Sequence, residues 1–455
     1  MFYLAVLFAK SYVDHYVYSV KNPTKHEMQL LKNYDIWSTT KSKVVVLAQK
    51  EEFEQLGIKD YAIVKTNVAQ DIQMESLRLK ANRNVPRFKK PLHMVNHDHI
   101  ERFFKDYRTY NEYFFWYATL AQMYPDIITY IPSIGTSLEG RDIFAIKITA
   151  PSNSTAPPKK QFFLQSLIHA REWISGTTVS YIVWDIVKNY AMGNTRYINM
   201  LNMAEFVIIP IANPDGYVYS HDVDRLWRKN TRDILGTVYG VDLNRNFQDG
   251  YWGLKNGSSP NPSDEDYRGT APYSEPESKA IKRFYYGLCC VKGVIDYHAY
   301  GQTILRPVGF SFDDCPQEAI FVNVTTEMAY AMKMATNATY ITQKSAELYI
   351  TTGAASDYFY VAKPEEEWVF ALTIELRGPI EEEEEQVDPT IGVLGQQSDD
   401  DDTAEDNLDE AFLNDNVKPD ESGGFIVDPS EIISTGKENV AALLVMVDYK
   451  LKSKS

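Results

Sequence analysis

The sequence predicts an α/β protein in which a mixed, mostly buried β-sheet is covered by helices, preceded by a small α+β domain. From about residue 100, near-continuous apolar segments alternate with longer segments typical of helices, which is the pattern of a sheet buried on both faces. Before residue 80 the apolar segments are shorter, and a basic stretch with two prolines separates the two regions. With 455 residues, 44% of them hydrophobic, the chain can bury at least one large core.

The first region, residues 12–80, has the pattern of a compact α+β unit. We expect its strands at Tyr16–Val20, Lys43–Leu47 and Tyr61–Thr66, and its helix at His26–Asn33. Residues 81–95 contain several Lys and Arg side chains, so we expect an exposed linker that a trypsin-like protease can cleave. Residues 1–11 include the apolar stretch Phe2–Ala9, which has the length of a signal-sequence core without its basic flank, and we interpret them as a signal remnant.

The second region, residues 96–455, is expected to form one larger α/β domain. Its predicted strands are Ile143–Ile148, Phe162–Ile168, Phe206–Ile211, Gly293–Tyr297 and Val369–Glu375. Its predicted helices are Thr177–Asn189, Glu275–Tyr286 and Pro429–Leu451, the last with Asp428 or Ser430 near its cap. In such a domain, functional side chains gather where strands end and loops begin.

The formal charge of −16 is concentrated in one segment. Residues 381–421 hold 17 Asp or Glu residues and one basic residue, Lys418, whereas the rest of the chain holds 45 residues of each sign. We therefore expect residues 380–422 to be an acidic insertion without a core of its own. Because no basic surface is indicated, the sequence predicts no nucleic-acid partner.

Other features bear on the compartment. No run of 18 apolar residues is present, so we expect no membrane-spanning helix. Three cysteines, Cys289, Cys290 and Cys315, allow one disulfide at most. Four Asn-x-Ser/Thr triplets would be glycan acceptors if the chain enters the secretory pathway, and they begin at Asn153, Asn256, Asn323 and Asn337.

A metal site is indicated where two predicted strands end. His169 and Glu172 are three residues apart at a strand-to-helix turn, and His298 follows another core strand. Two imidazoles and a carboxylate with one open coordination position suit a catalytic zinc ion. Taken alone, a His-x-x-Glu pair is a weak signal, because a histidine at a strand end is more often structural than a ligand.

Further segments accompany this set in a fixed order. They are Ile168–Ser175 (IHAREWIS), Arg225–Lys229 (RLWRK), Gly240–Asn246 (GVDLNRN), Asp296–Gly301 (DYHAYG), Tyr349 with Gly353 and Asp357–Tyr358, and Thr373–Arg377 (TIELR). Together they resemble the zinc metallocarboxypeptidase family, specifically its digestive, pancreatic-type A/B branch, whose members carry a propeptide. The resemblance extends over residues 12–380 and 423–451.

The resemblance implies a catalytic apparatus around one Zn²⁺ ion. Glu375 would be the general base, although an ion pair between Glu375 and Arg377 is the alternative interpretation. Arg228 would stabilise the oxyanion of the transition state. Asp242 would accept a hydrogen bond from His169 and orient its ring. The basic neighbours of Arg228 are expected to be ordinary surface charges, namely Arg225, Lys229 and Arg232.

The resemblance also implies a substrate with a free C-terminus. Asn244 and Arg245 would bind the terminal carboxylate, and Tyr349 would close over it. Arg171 would line the approach for substrate residues upstream of the cut, and Tyr300 would also bind substrate. Ser356 occupies the base of the side-chain pocket, where the family has an aspartate or a branched apolar residue. With Leu305, Gly309 and Thr373 as neutral walls, we expect a preference for apolar or small C-terminal residues; Lys344 near the pocket leaves a preference for acidic residues as an alternative.

The resulting prediction is a secreted, monomeric zymogen. Residues 12–80 would be an inhibitory propeptide, a trypsin-like protease would activate the chain by cutting within 81–95, and residues 96–455 would be the catalytic domain. The family's cysteine before the Gly-Val-Asp segment is Val238 here, so that disulfide is expected to be absent. Two rivals stay open: a catalytically silent, peptide-binding relative, and the regulatory, hormone-processing carboxypeptidase branch, which usually lacks this propeptide.

Overall fold

The computed structural model describes residues 10–39, 42–82, 97–152, 157–234, 236–254, 257–363, 368–378 and 424–453. The acidic insertion, nearly all of the expected linker and residues 1–9 of the expected signal remnant lie outside this part of the chain. The two linker residues that are described, Ala81 and Asn82, belong to a helix.

The N-terminal unit contains four strands and three helices. In chain order they are β1 (His15–Lys21), α1 (Lys25–Leu31), β2 (Asp35–Thr39), β3 (Lys43–Gln49), α2 (Lys50–Gln55), β4 (Tyr61–Lys65) and α3 (Val68–Asn82). The sheet is antiparallel in the order β2-β3-β1-β4. Each predicted element of this unit overlaps an observed one, whereas β2, α2 and α3 were not predicted.

Alternation along β3 explains its continuous apolar sequence. Val44, Val46 and Ala48 pack into the unit's own small core. Val45 and Leu47 point to the opposite face and join the core of the larger domain. Because successive side chains of a strand point to opposite faces, a sheet that is buried on both faces needs apolar residues at every position. The unit is therefore packed onto the larger domain through one face of its sheet.

The larger domain begins with four helical segments and three strands. They are α4 (His97–Glu101), a 3₁₀ turn (Arg102–Lys105), α5 (Tyr110–Met123), β5 (Ile128–Thr136), β6 (Asp142–Ile148), β7 (Lys160–Ser166) and α6 (Trp173–Ala191). The next elements are α7 (Thr195–Met203), β8 (Ala204–Ile209), α8 (Pro214–Asp222), β9 (Asp233–Ile234), β10 (Thr237–Val238), a 3₁₀ turn (Leu243–Arg245) and α9 (Pro276–Tyr286). The last are β11 (Val291–Ala299), β12 (Thr303–Arg306), α10 (Glu318–Thr336), β13 (Ile341–Lys344), α11 (Ser345–Leu348), α12 (Ala355–Val361), β14 (Phe370–Leu376) and α13 (Glu431–Lys452).

Eight of these strands form one mixed sheet in the order β13-β12-β14-β11-β7-β8-β6-β5. The central strands β14, β11, β7 and β8 are parallel, whereas β12 joins β14, and β6 joins β8 and β5, in antiparallel pairs. The parallel strands place their carboxyl ends on the same edge of the sheet. The edge where β7, β11 and β14 end is therefore where the predicted site should form.

Both faces of this sheet are buried, which confirms the predicted α/β class. Side chains of one parity, such as Phe163 and Val294, pack on the side of α9 and α12. Side chains of the other parity, such as Leu164 and Ile295, pack on the side of α6 and α13. Each predicted strand and helix of this domain overlaps an observed one. The edge strands β5 and β13 and the short strand β12 next to β13 were not predicted, because short or half-exposed strands lack the continuous apolar signal.

The terminal helix is fixed to the end of the central sheet by an ion-pair cluster. Arg377, just past the end of β14, lies 2.7 Å from Glu431 and 2.7 Å from Glu438, both of α13. Glu438 is fully buried, so the pair is shielded from solvent. Ser430 is the N-cap of α13, and its backbone N–H donates to Asp428 Oδ1 at 2.8 Å. This cluster brings the segment before α13 to the edge where β14 ends.

Two further expectations concerned the cysteines and membrane-spanning helices. Cys289, Cys290 and Cys315 are all free thiols. In the described ranges we find no helix with the length and apolar character needed to cross a bilayer.

Candidate active site

The connection between β7 and α6 carries two of the predicted metal ligands. His169 lies three residues after β7, and Glu172 is the N-cap residue of α6. The backbone of the connection is held in place on both sides. The Leu167 N–H donates to Ser175 Oγ at 3.2 Å, and Asn213 Nδ2 donates to the carbonyl of Ile168 at 3.1 Å. The strand-to-helix turn thus directs an imidazole and a carboxylate toward one point.

The third predicted ligand, His298, reaches the same point from the end of β11. His169 Nδ1 lies 2.7 Å from Glu172 Oε1 and 3.1 Å from His298 Nδ1. His298 Nδ1 lies 3.2 Å from Glu172 Oε2. All candidate ligand atoms of this buried trio fall within 4.8 Å of one another. Two imidazole nitrogens and one carboxylate are the donor set of a catalytic zinc site, so these residues fit one Zn²⁺ ion.

A carboxylate lies behind each of the two imidazoles. His169 Nε2 is 3.2 Å from Asp242 Oδ1, as the sequence predicted. His298 Nε2 is 3.0 Å from Asp296 Oδ2, although the ring N–H is not well aligned with that oxygen. Such partners fix the ring orientation and leave the other nitrogen, Nδ1, for the metal. Asp296 was quoted as part of a motif but was given no role from the sequence.

Burial and charge act in opposite directions within this trio. Burial by itself would raise the pKa of Glu172, but His169 and His298 lower that pKa well below its ordinary value. Burial would lower the pKa of His298, but Asp296 and Glu172 raise it well above its ordinary value. The site therefore favours positive charge on His298 beside Glu172. A divalent cation bound there would take the place of the proton on His298.

Glu375 lies on β14 directly beside His298. The two residues are partners in the parallel pair β11–β14, so their side chains point to the same face of the sheet. Burial raises the pKa of Glu375 to about 8, against the opposing effect of His298. The alternative interpretation, an ion pair with Arg377, is not what the structure describes, because Arg377 binds Glu431 and Glu438. A carboxylate beside a cation site and not engaged by that arginine is suited to moving a proton.

Arg228 is held rigidly next to the same trio. Its Nε and Nη2 donate to Asp242 Oδ2 at 3.2 and 2.9 Å, and its Nη1 lies 3.9 Å from Glu172 Oε1. Asp242 therefore supports His169 with one oxygen and Arg228 with the other. A fixed guanidinium at this position can stabilise negative charge that develops beside the metal.

The residues predicted to bind a terminal carboxylate form a second group. Arg245 is buried; its Nη1 donates to the Asn244 carbonyl at 2.8 Å and its Nη2 to the Tyr349 hydroxyl at 3.4 Å. Its Nε has no hydrogen-bond partner among the described residues. Asn244 Oδ1 accepts from the Ala355 N–H at 2.8 Å, which fixes the amide. A buried guanidinium with an unsatisfied N–H is suited to an anionic ligand.

Arg171, which was predicted to line the approach for upstream substrate residues, contacts the N-terminal unit, and Tyr300 lies beside this contact. Arg171 Nη1 donates to both carboxylate oxygens of Asp35, at 2.8 and 2.9 Å. The Arg171 guanidinium also lies 4.1 Å from the centre of the Phe425 ring. Tyr300 packs edge-on against Phe425, and so does Trp37 of β2. β2 therefore occupies the place where the resemblance puts substrate.

A cavity of about 500 Å³ lies between several of these groups, although Arg171 and Arg245 are not among the described residues that line it. It is lined by residues of the N-terminal unit and of the larger domain together. From the larger domain come His169, Glu172, Arg228, Asn244, Tyr300, Tyr349, Glu375 and Phe425, with Thr303, Gln343 and Glu347 among others. From the N-terminal unit come Trp37, Ser38, Thr39, Ser42 and Lys43. Two of the three metal ligands, His169 and Glu172, thus border a space that the N-terminal unit partly covers, whereas His298 is not among the described lining residues.

The predicted specificity residues lie outside that lining. Ser356 is buried in the first turn of α12, and it is not among the described residues that line the cavity. Lys344 is the residue after Gln343 in β13, and alternation directs Gln343 into the cavity. The Lys344 ammonium instead pairs with Asp314 and donates to the Phe312 carbonyl at 3.1 Å. Gln343 was not predicted, because the sequence did not indicate the strand β13.

Two of the three expected surface charges are buried, so that expectation was wrong. Arg225 donates to the carbonyls of Arg171 and Phe425 at 2.9 and 2.8 Å and lies 2.5 Å from Glu75 of α3. Lys229 donates to two loop carbonyls at 2.8 and 2.9 Å. Arg225 and Lys229 thus hold backbone segments in place around the site. The sequence of a charge-rich segment does not reveal this role, because the carbonyls that accept these hydrogen bonds are distant in sequence.

With this geometry established, comparison with known proteins decides the family. The model of the family described as zinc carboxypeptidase matches residues 114–442, more than half of the chain. The chain belongs to the zinc carboxypeptidase family. Membership accounts for the large mixed sheet, for the helices on its faces and for the metal-binding trio at its edge.

Relatives within the family differ in what their names say. An inactive metallocarboxypeptidase ecm14 from Talaromyces stipitatus is 30% identical over 370 residues, covering 72% of this chain and 60% of that protein. Carboxypeptidase O from Homo sapiens is 32% identical over 259 residues, covering 55% of this chain and 66% of that protein. The chain thus spans less than two thirds of the length of these relatives. The matches do not establish the pancreatic A/B branch in particular.

Solved structures share the fold along nearly the whole chain. The crystal structure of thrombin activatable fibrinolysis inhibitor has a TM-score of 0.73 at 23% identity, covering 97% of this chain and 100% of that one. The carboxypeptidase A from Helicoverpa armigera has a TM-score of 0.74 at 24% identity, covering 97% of this chain and 99% of that one. At this level of identity the likeness concerns the fold alone.

Proposed function

We propose that this chain is the zymogen of a secreted zinc carboxypeptidase that removes single residues from the C-terminus of peptides and proteins. The observation that carries the proposal is the position of Glu375. It lies beside the trio His169, Glu172 and His298, in the cavity that Arg228 and Tyr349 also line. A base, a cation site and an anion site in one cavity support hydrolysis next to a free carboxylate.

The roles of the residues follow from their contacts. A zinc ion held by the trio would supply a Lewis acid and a bound water of lowered pKa. Glu375 would accept the proton of the attacking water and deliver it to the departing amine. Arg228, fixed by Asp242, would donate to the oxyanion that forms on the scissile carbonyl. Arg245 and Asn244 would bind the terminal carboxylate, with Tyr349 beside them.

The N-terminal unit would act as the inhibitory propeptide. The supporting contacts are the two hydrogen bonds from Arg171 to Asp35 and the presence of Trp37 and Lys43 in the cavity lining. These groups occupy space that an extended peptide needs. Activation would follow cleavage by a trypsin-like protease in residues 81–95, and the activated enzyme would act as a monomer on peptides, without a nucleic-acid or membrane partner.

For the C-terminal residue we propose a preference for neutral, apolar or small side chains. Ser356 carries no charge that would select Lys or Arg. The alternative is a preference for acidic residues through Lys344. Asp314, whose side chain is largely exposed, already pairs with Lys344, so an incoming carboxylate would have to displace it. This competition is the reason that we place the acidic preference second.

A catalytically silent, peptide-binding protein is the second candidate function. The relatives named inactive metallocarboxypeptidase favour it. The presence of all three metal ligands and of Glu375 favours hydrolysis, since a binding protein has no need for a base at the metal. Activity measurements separate the two candidates directly.

The deciding experiment is hydrolysis after limited trypsin treatment. Blocked dipeptides ending in Phe, Leu, Lys and Glu are assayed with and without 1,10-phenanthroline, and bound zinc is counted per chain. We expect chelator-sensitive release, fastest for Phe or Leu, and one zinc per chain. The variant Glu375→Gln should keep the zinc and lose at least a hundredfold in rate. Zinc binding without any release in the unmodified protein would instead indicate the silent relative.

A further inference from the structure

The outer face of α10 carries three exposed, large apolar side chains. Its inner side is buried through Phe321, Val324 and Met328. On its outer side Val322 is 42% exposed, Tyr330 52% and Met334 68%. Over the whole helix, which the structure describes in full, Glu327 and Lys333 are the only charged residues that are exposed. Exposed Lys333 lies about 20° from Val322 around the helix and exposed Thr326 about 40°, so the apolar side chains of this face stand among polar ones.

Two glycan acceptor triplets lie on this helix. Asn323-Val-Thr325 starts in its second turn, and Asn337-Ala-Thr339 starts at its C-cap. Both asparagines are exposed. Counting about 100° per residue, Asn323, Tyr330 and Met334 all fall within about 120° of Val322. Asn323 therefore lies on the same face of the helix as these exposed apolar side chains.

The second asparagine stands at the end of the same helix. Asn337 has a φ of 63°, and its backbone N–H donates to the Lys333 carbonyl at 2.8 Å, which closes the last turn. Asparagine tolerates this left-handed conformation better than most residues, so the cap is compatible with the residue that a glycan needs. The two acceptors thus bracket Tyr330 and Met334.

We propose that N-linked glycans on Asn323 and Asn337 cover the outer face of α10. In each case the asparagine Nδ2 forms a bond to C1 of the sugar, while the bond from C1 to the diphosphate of a lipid-linked oligosaccharide breaks. The Nδ2 proton leaves with the departing lipid diphosphate. This inference rests on the secretion that we propose for the chain, because the donor lipid belongs to the secretory pathway.

The structure also fixes when Asn323 is modified. Thr325 of its triplet is fully buried, and its hydroxyl donates to the Phe321 carbonyl at 2.7 Å. A transferase that reads this hydroxyl must therefore act before α10 is folded. Modification of Asn337 does not have to precede folding of the helix, because Thr339 of its triplet is only half-buried.

The test uses the full chain directed into the secretory pathway of a eukaryotic host by a heterologous signal sequence. The secreted protein is treated with a glycan-releasing amidase, which converts each glycosylated Asn to Asp, and its peptides are analysed by mass spectrometry. We expect conversion at Asn323 and Asn337. Asn22 is the internal control, because Asn22-Pro-Thr24 has the spacing but carries the proline that blocks transfer.

Variants then test what the glycans cover. Asn323→Gln and Asn337→Gln should each remove one glycan, and the double variant should bind an apolar dye at least twofold more strongly and self-associate. Adding Tyr330→Glu and Met334→Lys to the double variant should reverse both effects. Unmodified Asn323 and Asn337 in the secreted protein would overturn the inference. So would a glycosylated protein that dimerises through α10, since a second copy would then be what covers this face. Peptide hydrolysis is assayed on the same samples, so an inactive but glycosylated protein would refute the proposed function alone.

Discussion

At the scale of single residues, Asp296 lies behind His298 at a distance similar to that of Asp242 behind His169, but without an aligned hydrogen bond. Both carboxylates are fully buried and lie about one hydrogen-bond length from an imidazole Nε2. Asp242 has a second task, since it also holds Arg228. A substitution at Asp296 therefore tests how a carboxylate behind a histidine affects zinc binding, without also disturbing Arg228.

We predict that Asp296→Asn weakens zinc binding by roughly 10- to 100-fold, because His298 loses the negative charge that raises its basicity. The measurement is zinc affinity by competition with a chelator of known strength, with circular dichroism as a check on folding. Ser311→Ala removes an exposed hydroxyl, which contacts Asp313, and serves as the control. Equal zinc affinity in Asp296→Asn and the unmodified protein would show that Asp296 has no such role.

Glu277 is a buried carboxyl outside the site. Its Oε1 accepts from the Leu138 N–H at 3.0 Å, and burial raises its pKa to about 7. The folded pKa thus exceeds the ordinary value of 4.5. Between these two pH values the folded state keeps a proton that the unfolded state has lost, so the free energy of unfolding falls as pH rises.

We predict that Glu277→Gln, which is neutral at every pH, removes this decrease in the free energy of unfolding with rising pH. Relative to the unmodified protein, its free energy of unfolding should rise by roughly 2 to 3 kcal/mol between pH 4.5 and pH 7.5. Denaturant unfolding at several pH values measures the difference. Glu327→Gln, at an exposed position, should change stability by less than about 0.5 kcal/mol at each pH. A constant difference for Glu277→Gln across the range would contradict the assignment.

At the scale of elements, β2 forms one wall of the cavity over the larger domain's cleft. Its first residue, Asp35, binds Arg171, and Trp37 packs against Phe425. α3 adds a second attachment, because Glu75 pairs with buried Arg225, which in turn holds the carbonyls of Arg171 and Phe425. Two elements of the N-terminal unit therefore fix the same wall of the cleft.

We predict that Asp35→Ala raises the activity of the uncleaved chain on blocked dipeptides by about tenfold, which corresponds to ~1.4 kcal/mol. The physical reason is the loss of two charge-assisted hydrogen bonds to Arg171. Initial rates are measured with the linker shown to be intact by mass. Asp71→Ala breaks an ion pair with Lys65 inside the N-terminal unit and should leave the rate unchanged. Equal rates for both variants would indicate that Asp35 does not limit access.

At the scale of the whole molecule, charge is distributed very unevenly. Outside residues 381–421 the chain has equal numbers of acidic and basic residues. The net charge of −16 therefore comes from that segment alone. That segment connects β14, which carries Glu375, to the residues just before Phe425. Both Glu375 and Phe425 line the cavity, so the acidic residues are covalently tied to its rim.

We predict that deleting residues 381–421 raises KM for peptides rich in Lys and Arg at low salt and leaves kcat unchanged, because a concentration of negative charge attracts cationic substrates. The effect should disappear near 0.5 M salt, where screening is strong. Peptides of equal length without charge are the matched control. If the deletion leaves kinetics unchanged for peptides of every charge, the segment is only a solvated insertion.

The sequence by itself determined the α/β class, the central strands and the convergence of His169, Glu172 and His298. Continuous apolar strands and polar residues at their ends are local signals, and parallel strands must place those ends on one edge. The role of Glu375 came from the resemblance to the family, because the sequence does not show that its strand lies next to that of His298. The small N-terminal unit was also evident, because its shorter apolar segments are separated from the larger region by a basic stretch with two prolines.

Only the tertiary structure showed which side chains of the N-terminal unit contact which side chains of the larger domain. Asp35 meets Arg171, Glu75 meets Arg225, and Phe425 enters the cavity, across separations of more than one hundred residues. No local pattern encodes such pairs, because they depend on how one domain packs against another. The same holds for Lys344, whose side of β13 is set by strand register rather than by its charge.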